Sequence, residues 1–238
     1  MKLAISGFCG KMGQRICAIA QTDKRCKVVL GLERLDHPEI GNKNGIEITS
    51  DPVSLKKCDC LIEFTTPEAT IKHLEYLVKF KKAAIIGTTG LSAGDTKKIK
   101  SAAKKIPIVY SPNMSAGVNL LFKLLREAAS VLQGYDVSVS EAHHVHKKDA
   151  PSGTAKKIVD IIDAQGVAVK YEDVTVVREG EIVGDHKIVF ESDVDRIELF
   201  HSAKTRDIFA KGAVMAAKWV AGKKPGLYSM NDVLGIED

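Results

Sequence analysis

Aromatic residues are scarce in this 238-residue chain, 5% of the whole with a single tryptophan. The net charge of +5 comes from scattered lysines rather than a dense block. Nucleic-acid binding, which combines basic patches with stacking rings, therefore gains little support. No apolar run approaches the roughly 20 residues that a membrane span needs, so no membrane partner is expected either. A charged-then-apolar leader is also missing: Lys2-Leu3-Ala4-Ile5 runs straight into a strand, and a cytoplasmic protein is expected. The five cysteines, Cys9, Cys17, Cys26, Cys58 and Cys60, are an odd number without a framework spacing. They read as structural thiols of a reducing compartment, with Cys58 and Cys60 pointing to opposite faces of one strand. No internal repeat or low-complexity segment is evident.

What is there is ordinary for a globular protein: 45% hydrophobic and 27% charged residues, in a chain long enough for one large domain or two modest ones. Lys2 to Ser6 reads as a strand, followed by the turn Gly7-Phe8-Cys9-Gly10-Lys11-Met12-Gly13, a helix with Met12, Ile16 and Ala20 on one face, and a strand from Lys27 to Leu32. Glu33 then stands about 20 residues past the glycines, where a dinucleotide-binding unit places the acid that holds the adenosine ribose. The spacing is G-x-x-G-x-x-G, and Cys9 takes the place of the usual second glycine. A P-loop is excluded because no Gly-Lys-Ser/Thr follows. Arg34 could meet a 2′-phosphate, so NADH and NADPH both remain open as cofactors.

The alternation continues with a strand from Lys57 to Phe64, a helix that buries Ile71, Leu74, Leu77 and Val78, a strand from Ala83 to Ile86, a helix from Ala93 to Lys104, and a strand from Ile106 to Tyr110. Strands alternating with helices imply a parallel, doubly wound sheet. Its ligand crevice lies at the carboxyl ends of the strands, which places the loops FTTPE, GTTG (Gly87, Thr88, Thr89, Gly90) and SPNMS (Ser111, Pro112, Asn113, Met114, Ser115) on the side of the first glycine turn. A long helix runs from Gly117 to Leu132, after which the pattern changes. Val174 to Arg178 and Lys187 to Phe200 are strand-like with no helix between them, which predicts an α+β second domain on a mixed sheet. A helix from Asp207 to Ala221 follows, and the tail LYSMNDVLGI is apolar enough to dock on the first domain.

The chemistry concentrates in Glu141 to Ala155, EAHHVHKKDAPSGTA. It reads as a loop between the strand YDVSVS and a helix that places Ala155, Ile158, Ile161 and Ile162 on one face, with Ser152 or Thr154 as its cap. The Ser152-Gly153-Thr154 helix start is expected to present backbone amides to a carboxylate or phosphate. Lys147 and Lys148 add positive charge, and His143 can carry a proton near neutral pH. An anion cradle beside a proton donor points to an enzyme acting on a small acid. His143, His144 and His146 resemble a ligand cluster, but no cysteine or further histidine stands at zinc spacing, and no metal is expected. His201 has only a strand-end position to recommend it.

GFCGKMG, FTTPE, GTTG, EAHHVHKKDAPSGTA and the closing FAKGAV…W…GKKPGLYSMNDVLG together resemble the 4-hydroxy-tetrahydrodipicolinate reductase family, over essentially the whole chain. The resemblance implies a Rossmann domain over 1–114 with 207–238, and a substrate-binding and tetramerisation domain over 115–206. It implies an NADH- or NADPH-dependent reduction of a small heterocyclic dicarboxylate in the diaminopimelate route to lysine, by a homotetramer. His143 is similar to the family's proton donor and Lys147 to its catalytic partner. His144, Gly153 and Thr154 are similar to its carboxylate contacts. Gly7, Phe8, Cys9, Gly10, Lys11, Met12, Glu33, Arg34, Gly87, Thr88, Thr89, Ser111, Pro112, Asn113 and Met114 match its cofactor site. Thr66 departs from relatives with a basic residue there, which weakens the case for strict NADPH use. Two rivals are another amino-acid-pathway dehydrogenase, such as an aspartate dehydrogenase, and a non-catalytic NAD(H)-sensing regulator.

Overall fold

The computed structural model describes residues 1–236, which divide into two compact units. The first is Met1–Ser115 with the segment from Phe209 onward, and the second is Ala116–Ile208. Residues 237 and 238 of the expected first domain lie outside the described residues.

The first unit is built on β1 (Lys2–Ser6), α1 (Lys11–Thr22), β2 (Lys27–Leu32), β3 (Gly41–Lys43), β4 (Ile46–Thr49), β5 (Cys60–Glu63), α2 (Pro67–Phe80), β6 (Ala83–Ile86), α3 (Ala93–Ala103) and β7 (Pro107–Tyr110). The eight-stranded sheet has the order β12-β7-β6-β5-β1-β2-β4-β3, where β12 is Gly226–Tyr228. Every pairing is parallel except β3 with β4. Side chains alternate across a strand, so β1 sends Leu3 and Ile5 into one core and Ala4 into the other. The sheet is doubly wound, as the alternation of strands and helices implied. The order reverses at β1, flanked by β2 and β5, which is the switch point where such sheets bind ligands.

The tail joins this sheet: β12 runs parallel to β7, and α7 (Met230–Leu234) buries Met230 and Val233 in the first core. Three features differ from the sequence expectation. The β3–β4 hairpin and a 3-10 turn at Pro52–Lys57 were not foreseen, and β5 starts only at Cys60. Residues two apart in one strand share a face, so Cys58 and Cys60 could not have pointed apart from within it. They do enter different cores, because Cys58 caps the 3-10 turn before the strand begins. All five cysteines are free thiols.

The second unit contains α4 (Ala116–Val131), β8 (Asp136–His143), α5 (Gly153–Asp163), β9 (Thr175–Arg178), β10 (Asp185–Glu191) and β11 (Arg196–Ser202). Its sheet has the order β11-β10-β8-β9, with β8–β9 parallel and the other pairs antiparallel, a mixed sheet as expected. Val139, Ile188, Phe190 and Leu199 turn toward α4 and α5, whose Leu125, Ile158 and Ile162 are fully buried. Burial of each such side chain contributes about 1.5–3 kcal/mol.

Lys187 to Phe200 is two strands rather than one, broken at Ser192–Asp195. Ser192 Oγ accepts from the amides of Val194 and Asp195 there, a side-chain-built turn with no glycine or proline to announce it. α6 (Asp207–Val220) leads into the first unit's sheet.

Candidate active site

In the first unit, the chain after β1 turns through Gly7 at φ +63°, a conformation that suits glycine. Gly13 is required by space: a Cβ there would lie 2.2 Å from the carbonyl oxygen of Gly7 and 2.6 Å from that of Phe8. The first turn of α1 therefore sits directly on the loop. Its N-cap, Gly10, supplies no side-chain cap, so the helix amides are open to an anion. These amides are the groups that could hold a dinucleotide pyrophosphate.

Cys9 donates its backbone N–H to Glu33 Oε1 at 2.7 Å, which ties the acid at the end of β2 to the glycine turn. A cavity of about 510 Å³ opens beside them, lined by Gly7, Glu33, Arg34, Thr66, Lys72 and His73 among others. The cysteine thiol is pushed up to about 11 by burial and by the charges of Glu33 and Glu39, so it is inert at neutral pH.

Not every expected cofactor residue presents its side chain to a ligand. Phe8 is buried against Gly31, leaving only its backbone for the purpose. Thr88 is buried and shares a 2.8 Å hydrogen bond with Thr70 of α2, and Met114 is buried in the first core. Gly87 admits no side chain because a Cβ would overlap the Phe64 ring at 2.4 Å. Thr89 and Pro112 are exposed, as are Lys11 and Arg34, and Met12 is half-buried. Ser111 Oγ donates to the Asn113 carbonyl oxygen at 2.7 Å and holds the SPNM turn closed.

The second unit carries His143, His144, His146, His186 and His201. β8 extends through His143, so the chemical stretch opens inside a strand and not in a loop. Alternation puts Val139, Glu141 and His143 on the face turned to the helices, and Glu141 and His143 are buried. Glu141 stands opposite His186 of β10, which stands opposite His201 of β11. His143 stands opposite Arg178 of β9.

Glu141 Oε1 accepts from the Ser152 amide at 3.0 Å and from Arg178 Nη2 at 3.0 Å. Oε2 has no hydrogen-bond partner but lies 3.5 Å from His143 Nδ1 and 3.8 Å from His186 Nε2. The two imidazoles meet edge to face, with centroids 5.3 Å apart. Burial raises the Glu141 carboxyl, but the Ser152 and Arg178 hydrogen bonds and the neighbouring His143 outweigh it, and the net shift is downward. Burial also lowers His143, opposed by the charge of Glu141 and aided by Lys147 and Arg178. His186 falls to about 4, chiefly through burial and then through His143, and is neutral at physiological pH.

Ser152 is the N-cap of α5, accepting from the Ala155 amide at 3.1 Å. Of the two expected caps, Ser152 fills the role; such a cap contributes about 1 kcal/mol. Gly153 and Thr154 form the first turn, Gly153 exposed and Thr154 half-buried. Lys147 forms a 2.8 Å ion pair with Asp149, whose carbonyl oxygen accepts from Arg178 at 2.7 Å. His144 Nε2 is 3.5 Å from Arg206 Nη2, and His146 is exposed.

Sequence reasoning missed Glu141, Arg178 and His186. The two-residue spacing of Glu141 and His143 could have revealed the first, once the strand was extended; the other two have no local signal.

Two triplets among the described residues bring metal-ligating atoms within 4.8 Å of one another: Cys9, Glu33 and His37, and Glu141, His143 and His186. In each, the carboxylate is already held by protein donors, the Cys9 amide in one and the Ser152 amide with Arg178 in the other. In the second triplet Glu141 Oε2, His143 Nδ1 and His186 Nδ1 have no hydrogen-bond partner.

Comparison with known proteins gives one consistent result. Residues 1–114 match the family model described as dihydrodipicolinate reductase, N-terminus, and residues 117–234 match dihydrodipicolinate reductase, C-terminus. The chain is 43% identical to the 4-hydroxy-tetrahydrodipicolinate reductase of Ralstonia pickettii, covering 99% of this chain and 100% of that one. It is 42% identical to the enzyme of the same name from Aquifex aeolicus, covering 99% of each. A solved dipicolinate-bound dihydrodipicolinate reductase from Paenisporosarcina sp. TG-14 shares the fold at 23% identity, with a TM-score of 0.83, over 96% of this chain and 97% of that one.

Proposed function

The chain belongs to the dihydrodipicolinate reductase family, and from that premise we propose how its residues divide the reaction between them. It is an NAD(P)H-dependent oxidoreductase of lysine biosynthesis that reduces 4-hydroxy-tetrahydrodipicolinate to tetrahydrodipicolinate. Overall one hydride and one proton are added and one water is lost. The bound nicotinamide supplies the hydride.

Met1–Ser115 with the returning C-terminal segment is the dinucleotide-binding domain. Gly7 to Met12 cradle the pyrophosphate on the amides of α1, Glu33 accepts from the adenosine ribose, and Arg34 meets a 2′-phosphate when NADPH is bound. The Gly87-Thr88-Thr89 and Ser111 to Met114 turns flank the nicotinamide half, largely through backbone groups. Ala116–Ile208 is the substrate domain.

As hydride arrives, electron density moves away from the attacked ring carbon, and His143 delivers the proton that completes the reduction. Lys147 holds one carboxylate and stabilises developing negative charge. The Gly153 and Thr154 amides hold the other, with His144 beside it; the Ser152 amide, expected to share this role, is instead given to Glu141 Oε1. No step needs a metal ion. What supports this reading is that a buried imidazole, a lysine whose charge reaches it and a capped helix start tied to the neighbouring Glu141 lie in one unit, inside a chain of this family.

The direct test is an assay with enzymatically generated substrate, following oxidation of NADH and NADPH at equal concentration. Turnover with neither, alongside activity on oxaloacetate and ammonia, would replace this reading with that of an aspartate dehydrogenase. Lys147→Ala is expected to lower kcat/KM by about 10- to 150-fold, because a charged hydrogen bond contributes about 1.5–3 kcal/mol. Its ion pair with Asp149 must open to receive the substrate, so the loss should appear in KM as well as kcat. Unchanged dicarboxylate affinity would remove Lys147 from the anchoring role.

The enzyme is further proposed to act in the cytoplasm as a homotetramer. Among the described residues no helix is long and apolar enough to cross a membrane. The outer face of the second sheet leaves Phe200 62% and Val177 39% exposed, a surface suited to a second copy. A sedimenting mass equal to one chain would contradict the tetramer.

A further inference from the structure

We infer that Glu141 is a positioning residue for the proton transfer: its Oε2 takes the Nδ1–H of His143, so that the Nε2–H of His143 is the proton delivered to the substrate. This inference rests on the reading of His143 as proton donor and names the atom and the group that aims it.

Three observations carry it. The first is how firmly the carboxylate is held. The Glu141 side chain is fully buried, and the Ser152 amide and Arg178 both bind Oε1, leaving Oε2 pointed at the imidazoles with no donor of its own. An unpaired buried carboxylate oxygen is costly, so it will take the nearest available proton donor.

The second is which donor that is. Ser152 Oγ accepts from the Ala155 amide, and its own hydrogen is free to point at His186 Nε2, 3.4 Å away. With that contact made, His186 Nε2 is an acceptor and gives Oε2 nothing. His143 Nδ1 is then the donor closest to Oε2, at 3.5 Å, and it too lacks any other partner. That separation exceeds the 2.7–2.9 Å of a charged hydrogen bond, as is common in ligand-free catalytic pairs that tighten when the ring becomes cationic.

The third concerns the other nitrogen. His143 Nε2 faces Gly184, where a Cβ would come within 3.0 Å. Glycine at this position spares Nε2 that crowding. The His186 ring lies edge-on against His143 and limits its rotation.

The electrostatics agree in sign. The charged groups facing His143 are Glu141 on its own strand, Arg178 on β9, His186 on β10, and Lys147 with Asp149 in the following loop. Burial, Lys147 and Arg178 lower its proton affinity, while Glu141 leads the opposition. Without the carboxylate the imidazolium loses its main support. The acid form then disappears at a lower pH, and the rate falls sooner as pH rises.

Glu141→Gln tests this in the full-length enzyme. The glutamine carbonyl can still accept from Ser152 and Arg178, but its NH2 now confronts His143 Nδ1 and forces that nitrogen to accept. We expect kcat/KM near pH 7 to fall about 10- to 100-fold. The limb attributed to the acid should move down by about one to two pH units, the size of a neighbouring-charge effect. NADH affinity should be unchanged.

¹⁵N spectra should show neutral His143 protonated at Nδ1 in the wild type and at Nε2 in the variant. A variant with the wild-type tautomer and an unmoved limb overturns the inference, whatever its rate. So does a wild-type His143 whose neutral form carries its proton on Nε2, which decides the matter even if the variant does not fold. Full turnover by a chain lacking His143 would instead overturn the parent reading, so the two failures are distinguishable.

Discussion

Replacing His143 with alanine is expected to lower kcat by about 10²–10⁴-fold, the range that general acid catalysis supplies. The Kd for NADH should stay within about twofold, because the glycine turn and Glu33 belong to the other unit. The loss is chemical and not a failure to fold. His143 lies at the end of β8, and its backbone carbonyl, which accepts from Glu179, survives the change.

The wild-type pH dependence sharpens this expectation. In the free enzyme the His143 pKa lies below the usual histidine value, so kcat/KM should fall as pH rises through a limb below about 6.5. A bound dicarboxylate adds negative charge beside the ring and raises its pKa, which places the limb in kcat at higher pH than the limb in kcat/KM. Steady-state rates from pH 5 to 9 check both statements. A His143→Ala enzyme with wild-type kcat, or a limb unaltered by the substitution, would assign the proton to another group.

Gly212→Ala should destabilise the first unit. Alanine is the better helix former by about 1 kcal/mol, and on propensity alone the substitution in α6 would stabilise. Space decides otherwise. A Cβ at this position would stand 1.7 Å from the carbonyl oxygen of Met114 and 2.8 Å from its carbonyl carbon. Those are backbone atoms, with no rotamer to move aside, so helix and turn must separate.

Overpacking of this kind costs about 1–3 kcal/mol or more, which exceeds the propensity gain. With the cost at the upper end the net loss is about 2 kcal/mol, or roughly 4–8 °C in Tm for a chain of this length. Met114 closes the Ser111–Met114 turn assigned to the cofactor, so NADH affinity should weaken with stability. Thermal melts and a cofactor titration measure both; a Tm within 1 °C of wild type would show that the helix shifts freely.

Much of the first unit was legible because its signals are local. Gly7 and Gly13 answer to one φ and one steric gap, and Glu33 follows at the length of one helix and one strand. The β3–β4 hairpin was missed although Asn44-Gly45, both at positive φ, is a hairpin dipeptide. Its first strand, Gly41-Asn42-Lys43, is exposed and carries no apolar alternation to draw the eye. The break at Ser192–Asp195 was missed for the opposite reason: apolar residues flank it on both sides, and the turn is made by side-chain oxygens.

The amino-acid sequence by itself determined the doubly wound sheet, the glycine turn before α1, the Ser152-capped start of α5, and the presence of a titratable histidine close in sequence to a lysine. All of these depend on neighbours within about 20 residues, where periodicity and turn chemistry operate. Only the tertiary structure decided the setting of that histidine. Arg178 and His186 reach Glu141 and His143 through strand register, from positions far along the chain. Burial, which lowers His143 while the carboxylate raises it, is likewise a property of the packed sheet and its helices. Proton affinity is set by which charges and how much water lie within a few ångströms, and only folding brings these groups to that distance.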